Sequence, residues 1–228
     1  MKRSEINRIM RQAAEFCREM KFMLPPFVYW TVKDWRDKGA EYDEIRDNQL
    51  GWDITDFGSG DFYKIGLLMI TLRNGSYRDR RYEKPYAEKL LIVEEGQVTP
   101  CHFHQKKWED IINRGGGNLL LKLYNRGDND TLADTPVLVH VDGRGYTVKP
   151  GELIRLVPGE SISLINGQYH SFWGEPGTGR ILVGEVSKVN DDRTDNHFLE
   201  PLGRFPEIEE DEEPLYLLAM DYFPGKPA

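Results

Sequence analysis

The chain has 228 residues, 39% of them hydrophobic and 30% charged, and carries a net charge of −8. That balance suits a soluble protein with one core and decorations. It argues against a nucleic-acid binder, which needs a basic face to meet phosphates.

No apolar run approaches the ~20 residues that cross a bilayer. The opening MKRSEINRIMRQ lacks the apolar centre of a secretory signal. Two cysteines, Cys17 and Cys101, are too few for a disulfide framework. A cytoplasmic location is the expectation.

The first predicted element is an amphipathic helix over SEINRIMRQAAEFCREM, with Ile6, Ile9, Met10, Ala13, Phe16, Cys17 and Met20 at helical spacing and Ser4 as cap. Leu24-Pro25-Pro26 stops it. A short second helix follows, with Thr31 as N-cap, Asp34 three residues on and Gly39 past its end. These helices are expected to form an extension over 1–60 that packs outside the main domain.

From Phe62 the segments are short, aliphatic and β-branched, divided by Gly, Pro, Asn and Asp: YKIGLLMITL, EKLLIVEE, NLLLKLY, PVLVHV, ELIRL, SISLI and RILVGEVSKV. HVDGRGYTV reads as a hairpin around Asp142-Gly143, and Gly115-Gly116-Gly117 as a turn between strands. Closely spaced strands imply an antiparallel sandwich or small barrel over 61–228, ending in a loop and tail. The acidic run EIEEDEE at 207–213 reads as a solvated loop.

The chemistry concentrates in GQVTPCHFHQKKWE, residues 96–109. Strand side chains alternate, so His102 and His104 share one face while Cys101 and Phe103 take the other. Cys101 is therefore expected to pack and not to ligate. Glu109 is at odd parity to the histidines and converges with them if the chain turns across Gln105 to Lys107. Imidazoles with a carboxylate suit Mn, Fe, Co, Ni or Zn ahead of Ca or Mg.

Gly96-x5-His102-x-His104-x4-Glu109-x6-Gly116 resembles the first motif of the cupin superfamily. Gly159-x5-Ile165-x-Gly167-x2-His170 resembles the second, with Ile165 where proline is usual and Gly174 where asparagine is usual. The resemblance adds His170 to the ligand set and implies a single cupin-type, jelly-roll-like antiparallel barrel. Three imidazoles and one carboxylate leave two positions on an octahedral ion for neighbouring substrate oxygens. Of the other histidines, His140 lies in the alternating strand PVLVHV, which suits a structural or surface role, and His197 in a polar loop.

The fold alone does not choose a reaction. NQLGWDITDFGSGDF, NGSYRDRRYEKPYAEKLLIVEEGQVTPCHFHQKKWEDIINRGGGNLLLKLYN, YHSFWGEPG and VGEVSKVNDDRTDNHFLEPLGRFPEIEEDE together resemble the D-lyxose ketol-isomerase family. The resemblance implies a manganese-preferring sugar isomerase, commonly dimeric. Such enzymes interconvert D-lyxose with D-xylulose and usually D-mannose with D-fructose. Carried over, its ligands are His102, His104, Glu109 and His170. A dioxygenase-type cupin or a non-catalytic sugar-binding cupin with the same ligand set remains the alternative.

Isomerisation also needs a base to carry a proton between C2 and C1. Lys107 shares the face of Glu109 if the segment is extended and could assist the substrate oxygen; its other reading is a surface lysine on a turn. For the base, Glu200 comes first, because Leu199 and Pro201 flank it in the loop after the last strand, and Glu185 second, on GEVSKV. Arg204 could bind a hydroxyl or fix Glu200. Asp191, Asp192 and Asp195 read as turn formers.

Overall fold

The computed structural model describes residues 1–191, 194–203 and 206–222. Helix α1 (Arg3–Glu19) forms on the predicted periodicity and buries Ile6, Ile9, Met10, Ala13 and Cys17. Ser4 does not cap it. Lys2 takes the N-cap position, and Ser4 Oγ donates to Asp211 Oδ2 at 2.7 Å.

The acidic run is correspondingly more than a solvated loop. Arg3, 2% exposed, meets Glu210 at 2.6 Å and Asp221 at 3.1 Å, and Asn7 donates to Glu212 at 2.8 Å. Asp211 also accepts from the Ser4 backbone N–H at 2.9 Å. The first turn of a helix offers unpaired N–H groups and the positive end of its dipole, so an acidic strap is drawn across it.

Arg3→Ala should lower stability by about 2–3 kcal/mol, below the 3–5 kcal/mol of a fully buried pair because Glu210 is half solvated. A denaturant midpoint equal to wild type would contradict this.

Helix α2 (Val32–Trp35) carries the predicted capping box between Thr31 and Asp34. It is a single turn, and α3 (Asp43–Asp47) follows it. No helix among the described residues is long and apolar enough to cross a membrane.

The strands are β1 (Gly51–Thr55), β2 (Leu67–Arg73), β3 (Tyr86–Val93), β4 (Thr99–His104), β5 (Glu109–Gly116), β6 (Leu119–Arg126) and β7 (Leu132–Ala133). They continue as β8 (Val137–Val141), β9 (Arg144–Val148), β10 (Leu153–Leu156), β11 (Ser161–Leu164), β12 (Gln168–Gly174), β13 (Ile181–Lys188) and β14 (Asn196–Phe198). One sheet runs β1-β2-β3-β13-β5-β11-β8-β9, the other β10-β6-β12-β4-β14 with β7 beside β6. All these pairings are antiparallel. This is the expected mainly β, cupin-type architecture with helices outside. Its larger sheet begins before residue 60, at β1.

Two cores follow from the pleat. Leu67, Met69, Leu91 and Val93 face the space between the sheets with Leu121, Ile154 and Phe172. Leu68, Ile70, Leu90 and Ile92 face outward and are covered by Ile6, Met10 and Ala13 of α1. Burial on both faces explains why β2 and β3 read as continuous apolar runs instead of alternating ones.

The hairpin falls as predicted, with Asp142 at φ 48° and Gly143 at φ 79° between β8 and β9. The triglycine starts inside β5 instead of in a turn. At Gly116 a Cβ would strike the carbonyl oxygen of Arg180, so only glycine lets β5 and the chain entering β13 approach.

Candidate active site

Strand β4 carries out the parity argument. His102 and His104 are buried toward the intersheet cavity, and Phe103 is buried on the opposite side against Tyr169 and His197. Half-buried Cys101 does not line the cavity, and burial lifts its thiol to about 11. His140 is exposed on β8, and His197 stacks on Phe103 at 4.8 Å.

His170 enters from β12, paired with His102 across the β12–β4 ladder. Glu109 opens β5 on the other sheet. The donor set thus spans both sheets, joined by the Gln105–Trp108 turn.

The ligand nitrogens of the three histidines all lie within 4.8 Å of one another. Glu109 Oε1 is 3.2 Å from both His104 Nε2 and His170 Nε2. Despite that distance His170 Nε2 has no hydrogen-bond partner among the described residues, nor does His104 Nδ1. Buried polar atoms left in this state need another partner.

For His170 Nε2 the tautomer agrees with a cation as that partner. His102 Nδ1 lies 2.8 Å from the Pro100 carbonyl and His170 Nδ1 3.1 Å from the Gln168 carbonyl. A carbonyl only accepts, so those nitrogens carry the protons and Nε2 is left as a lone pair directed into the cluster. Burial, reinforced by the neighbouring imidazoles, holds His102 well below the usual imidazole range, and burial lowers His104 as well. Burial opposes charge on Glu109, but His104 and Lys107 outweigh it and keep the carboxyl well below the usual range. Neutral imidazoles with an ionised carboxylate are what a divalent transition ion requires.

Beside this cluster lies a second polar group. Lys107 Nζ is 2.8 Å from Glu109 Oε2 and 2.8 Å from Glu185 Oε1. Glu185 is 4% exposed and lies on β13 opposite Lys89 of β3. Lys89 Nζ is 3.7 Å from Glu185 and donates to Asn190 Oδ1 at 2.7 Å. All three line one cavity with the histidines and Glu109. Its remaining wall is mainly apolar, with Thr55, Thr99 and Asn196 among the lining residues, and Phe198 packs against Phe57 and His102.

Glu200 does not join them. Strand β14 pairs with β4 only as far as Phe198, and Leu199 N–H bonds the Cys101 carbonyl. The chain then leaves the barrel, so Glu200 and its neighbours Pro201 and Leu202 are exposed. Apolar neighbours in sequence did not bury Glu200, whereas Glu185 is buried and lines the cavity. Arg204 and Asp192 lie outside the described residues. Asp191 holds a turn, accepting from Thr194 Oγ1 at 2.9 Å.

Lys89 was not singled out from the sequence. Its parity with Leu91 and Val93 is the one signal that placed it inward, but β3 is apolar on both faces and hides which face is which.

Buried histidine and carboxylate donors gathered between two curled antiparallel sheets define a cupin-type protein with a candidate metal centre. L-Ribose isomerases share this fold: that of Cellulomonas parahominis matches with a TM-score of 0.60 and 17% identity, over 92% of this chain and 98% of its own. That of Geodermatophilus obscurus matches with a TM-score of 0.60 and 16% identity over the same shares. The chain belongs to the D-lyxose isomerase family, whose model matches residues 1–222. It is 50% identical to the D-lyxose/D-mannose isomerase of Serratia proteamaculans over 97% of this chain and 98% of that protein. The enzyme of the same name from Escherichia coli O157:H7 is 48% identical over the same shares.

Proposed function

We propose that the protein is a metal-dependent aldose–ketose isomerase converting D-lyxose to D-xylulose and D-mannose to D-fructose through an enediol. Family membership supports the reaction class. The observation that carries the mechanism is the buried Glu185 carboxylate, in the same cavity as the histidine cluster and bridged by Lys107 to Glu109.

When bound by His102, His104, Glu109 and His170, a divalent ion supplies Lewis-acid polarisation of the sugar carbonyl, with manganese expected ahead of Co, Fe, Ni or Zn. Glu185 takes the proton from C2 of the open-chain aldose. The C–H electron pair becomes the C1=C2 bond as O1 takes a proton from the Lys107 ammonium. In the second half O2 gives its proton back to Lys107, the C2 carbonyl forms, and C1 receives the proton held by Glu185. The Lys107 ammonium stabilises whichever substrate oxygen is gaining charge.

D-Lyxose and D-mannose share configuration at C2 and C3, so recognition of O1 to O3 admits both. The extra hydroxymethyl group changes binding by roughly 1–3 kcal/mol.

The test is anaerobic incubation of manganese-loaded protein with each sugar in D₂O, scored for ketose and for label. Ketose carrying deuterium at C1 is expected. Activity that requires oxygen, or no ketose at all, would overturn the isomerase reading. Ketose free of deuterium under all conditions would replace the enediol with a hydride shift and remove Glu185 from its role.

A homodimer is implied by the family resemblance, and the exposed Tyr86 and Val186 on the larger sheet, with exposed Trp108 in the turn before β5, offer it a surface. A single-chain mass in sedimentation would overturn it. Free Cys17 and Cys101 suit the reducing cytoplasm, and cell fractionation tests that.

A further inference from the structure

Asp195 lies between β13 and β14, is 4% exposed, and does not line the cavity. Its carboxylate oxygens accept from two successive backbone N–H groups of the β4–β5 turn, Lys106 at 2.7 Å and Lys107 at 3.1 Å. Its own carbonyl accepts from Gln105 N–H at 3.0 Å. One residue, 89 positions further along the chain than Lys106, therefore binds three consecutive N–H groups of that turn.

A buried carboxylate is costly unless its lone pairs are satisfied, and charge-assisted bonds to backbone N–H groups satisfy them strongly. Such bonds fix the backbone from which a long flexible side chain must reach two carboxylates at once.

The far end of that side chain is held from the same stretch of chain. Asn190 Oδ1 accepts from Lys107 Nζ at 3.1 Å and from Lys89 Nζ at 2.7 Å. Asn74 clasps Asn190 at two points, accepting from its N–H at 3.0 Å and donating to its carbonyl at 2.9 Å. Lys107 is thus gripped at its backbone by Asp195 and at its ammonium by Asn190, both from the chain following β13.

We propose that Asp195 is a positioning residue, which keeps the Lys107 ammonium between Glu109 and Glu185 during turnover without touching the sugar. The proposal rests on the isomerase reading above and adds a residue that acts through Lys107.

The experiment compares Asp195→Ala, Asp195→Asn, Lys107→Ala and the double variant Lys107→Ala/Asp195→Ala. The readouts are D-lyxose kinetics, manganese per chain and circular dichroism. Asp195→Ala should lower kcat about 10²-fold with KM within about threefold, the signature of misplaced catalytic geometry. Manganese content and fold should be kept. Asp195→Asn, which retains one carbonyl acceptor, should recover part of the loss and covers the case in which alanine does not fold. The double variant should be no slower than Lys107→Ala alone, because the two act as one unit.

Multiplying losses in the double variant would overturn the proposal, and so would loss of manganese from Asp195→Asn. Wild-type kcat in Asp195→Ala alongside an impaired Lys107→Ala would sink it while leaving the isomerase reading intact. A fully active Lys107→Ala would remove the role of Lys107 and this proposal with it.

Discussion

Glu185→Gln should lower kcat for D-lyxose by about 10²–10⁴-fold, the range a general base contributes, with KM and bound metal little changed. Glutamine has the shape of glutamate but cannot accept and return a proton. The rest of the cavity is built to survive the exchange, since Lys107 keeps Glu109 at 2.8 Å and Asn190 at 3.1 Å. Exchange of deuterium from D₂O into the sugar should fall in step with kcat, because the same carboxylate carries the label. The matching substitution Glu200→Gln should leave both rates near wild type, as Glu200 is exposed and outside the cavity lining. The opposite pattern, a slow Glu200→Gln beside an active Glu185→Gln, would refute the assignment.

His104→Ala should abolish manganese binding, as measured by elemental analysis, and take turnover with it. Losing Lewis-acid stabilisation worth about 4 kcal/mol corresponds to on the order of 10³-fold in rate. The barrel should remain folded, because His104 sits at the end of β4 and is a member of neither apolar core. Its removal takes one of the three imidazoles that converge within 4.8 Å and leaves His102, His170 and Glu109, one donor short of the proposed set. A metal-free His104→Ala protein with full isomerase activity would rule out the metal-dependent mechanism.

How legible the site was depends on the range over which its residues are tied together. His102 and His104 were readable from two-residue alternation on one strand, and their shared face needs nothing beyond the pleat. Glu109 required only a turn of four residues, which the chain makes between β4 and β5. Glu185 and Lys89 are partners across β13 and β3, nearly a hundred residues apart, and no local pattern announces such a pairing. Glu200 illustrates the same range limit: its neighbours suggested a pocket, but burial is a property of what packs from elsewhere, and among the described residues Glu200 is exposed.

The chain's own order of residues was enough for the switch from a helix to short strands, the Asp142-Gly143 hairpin and the histidine pair. Each of these depends on backbone preferences and periodicities that act over a few residues. The acidic run at 207–213 became a strap on α1, and Asp195 a clamp on the turn before β5, only once distant segments met. Charge in a sequence says that a partner is needed; folding selects which one, because a carboxylate taken out of water must find donors wherever the closing barrel brings them.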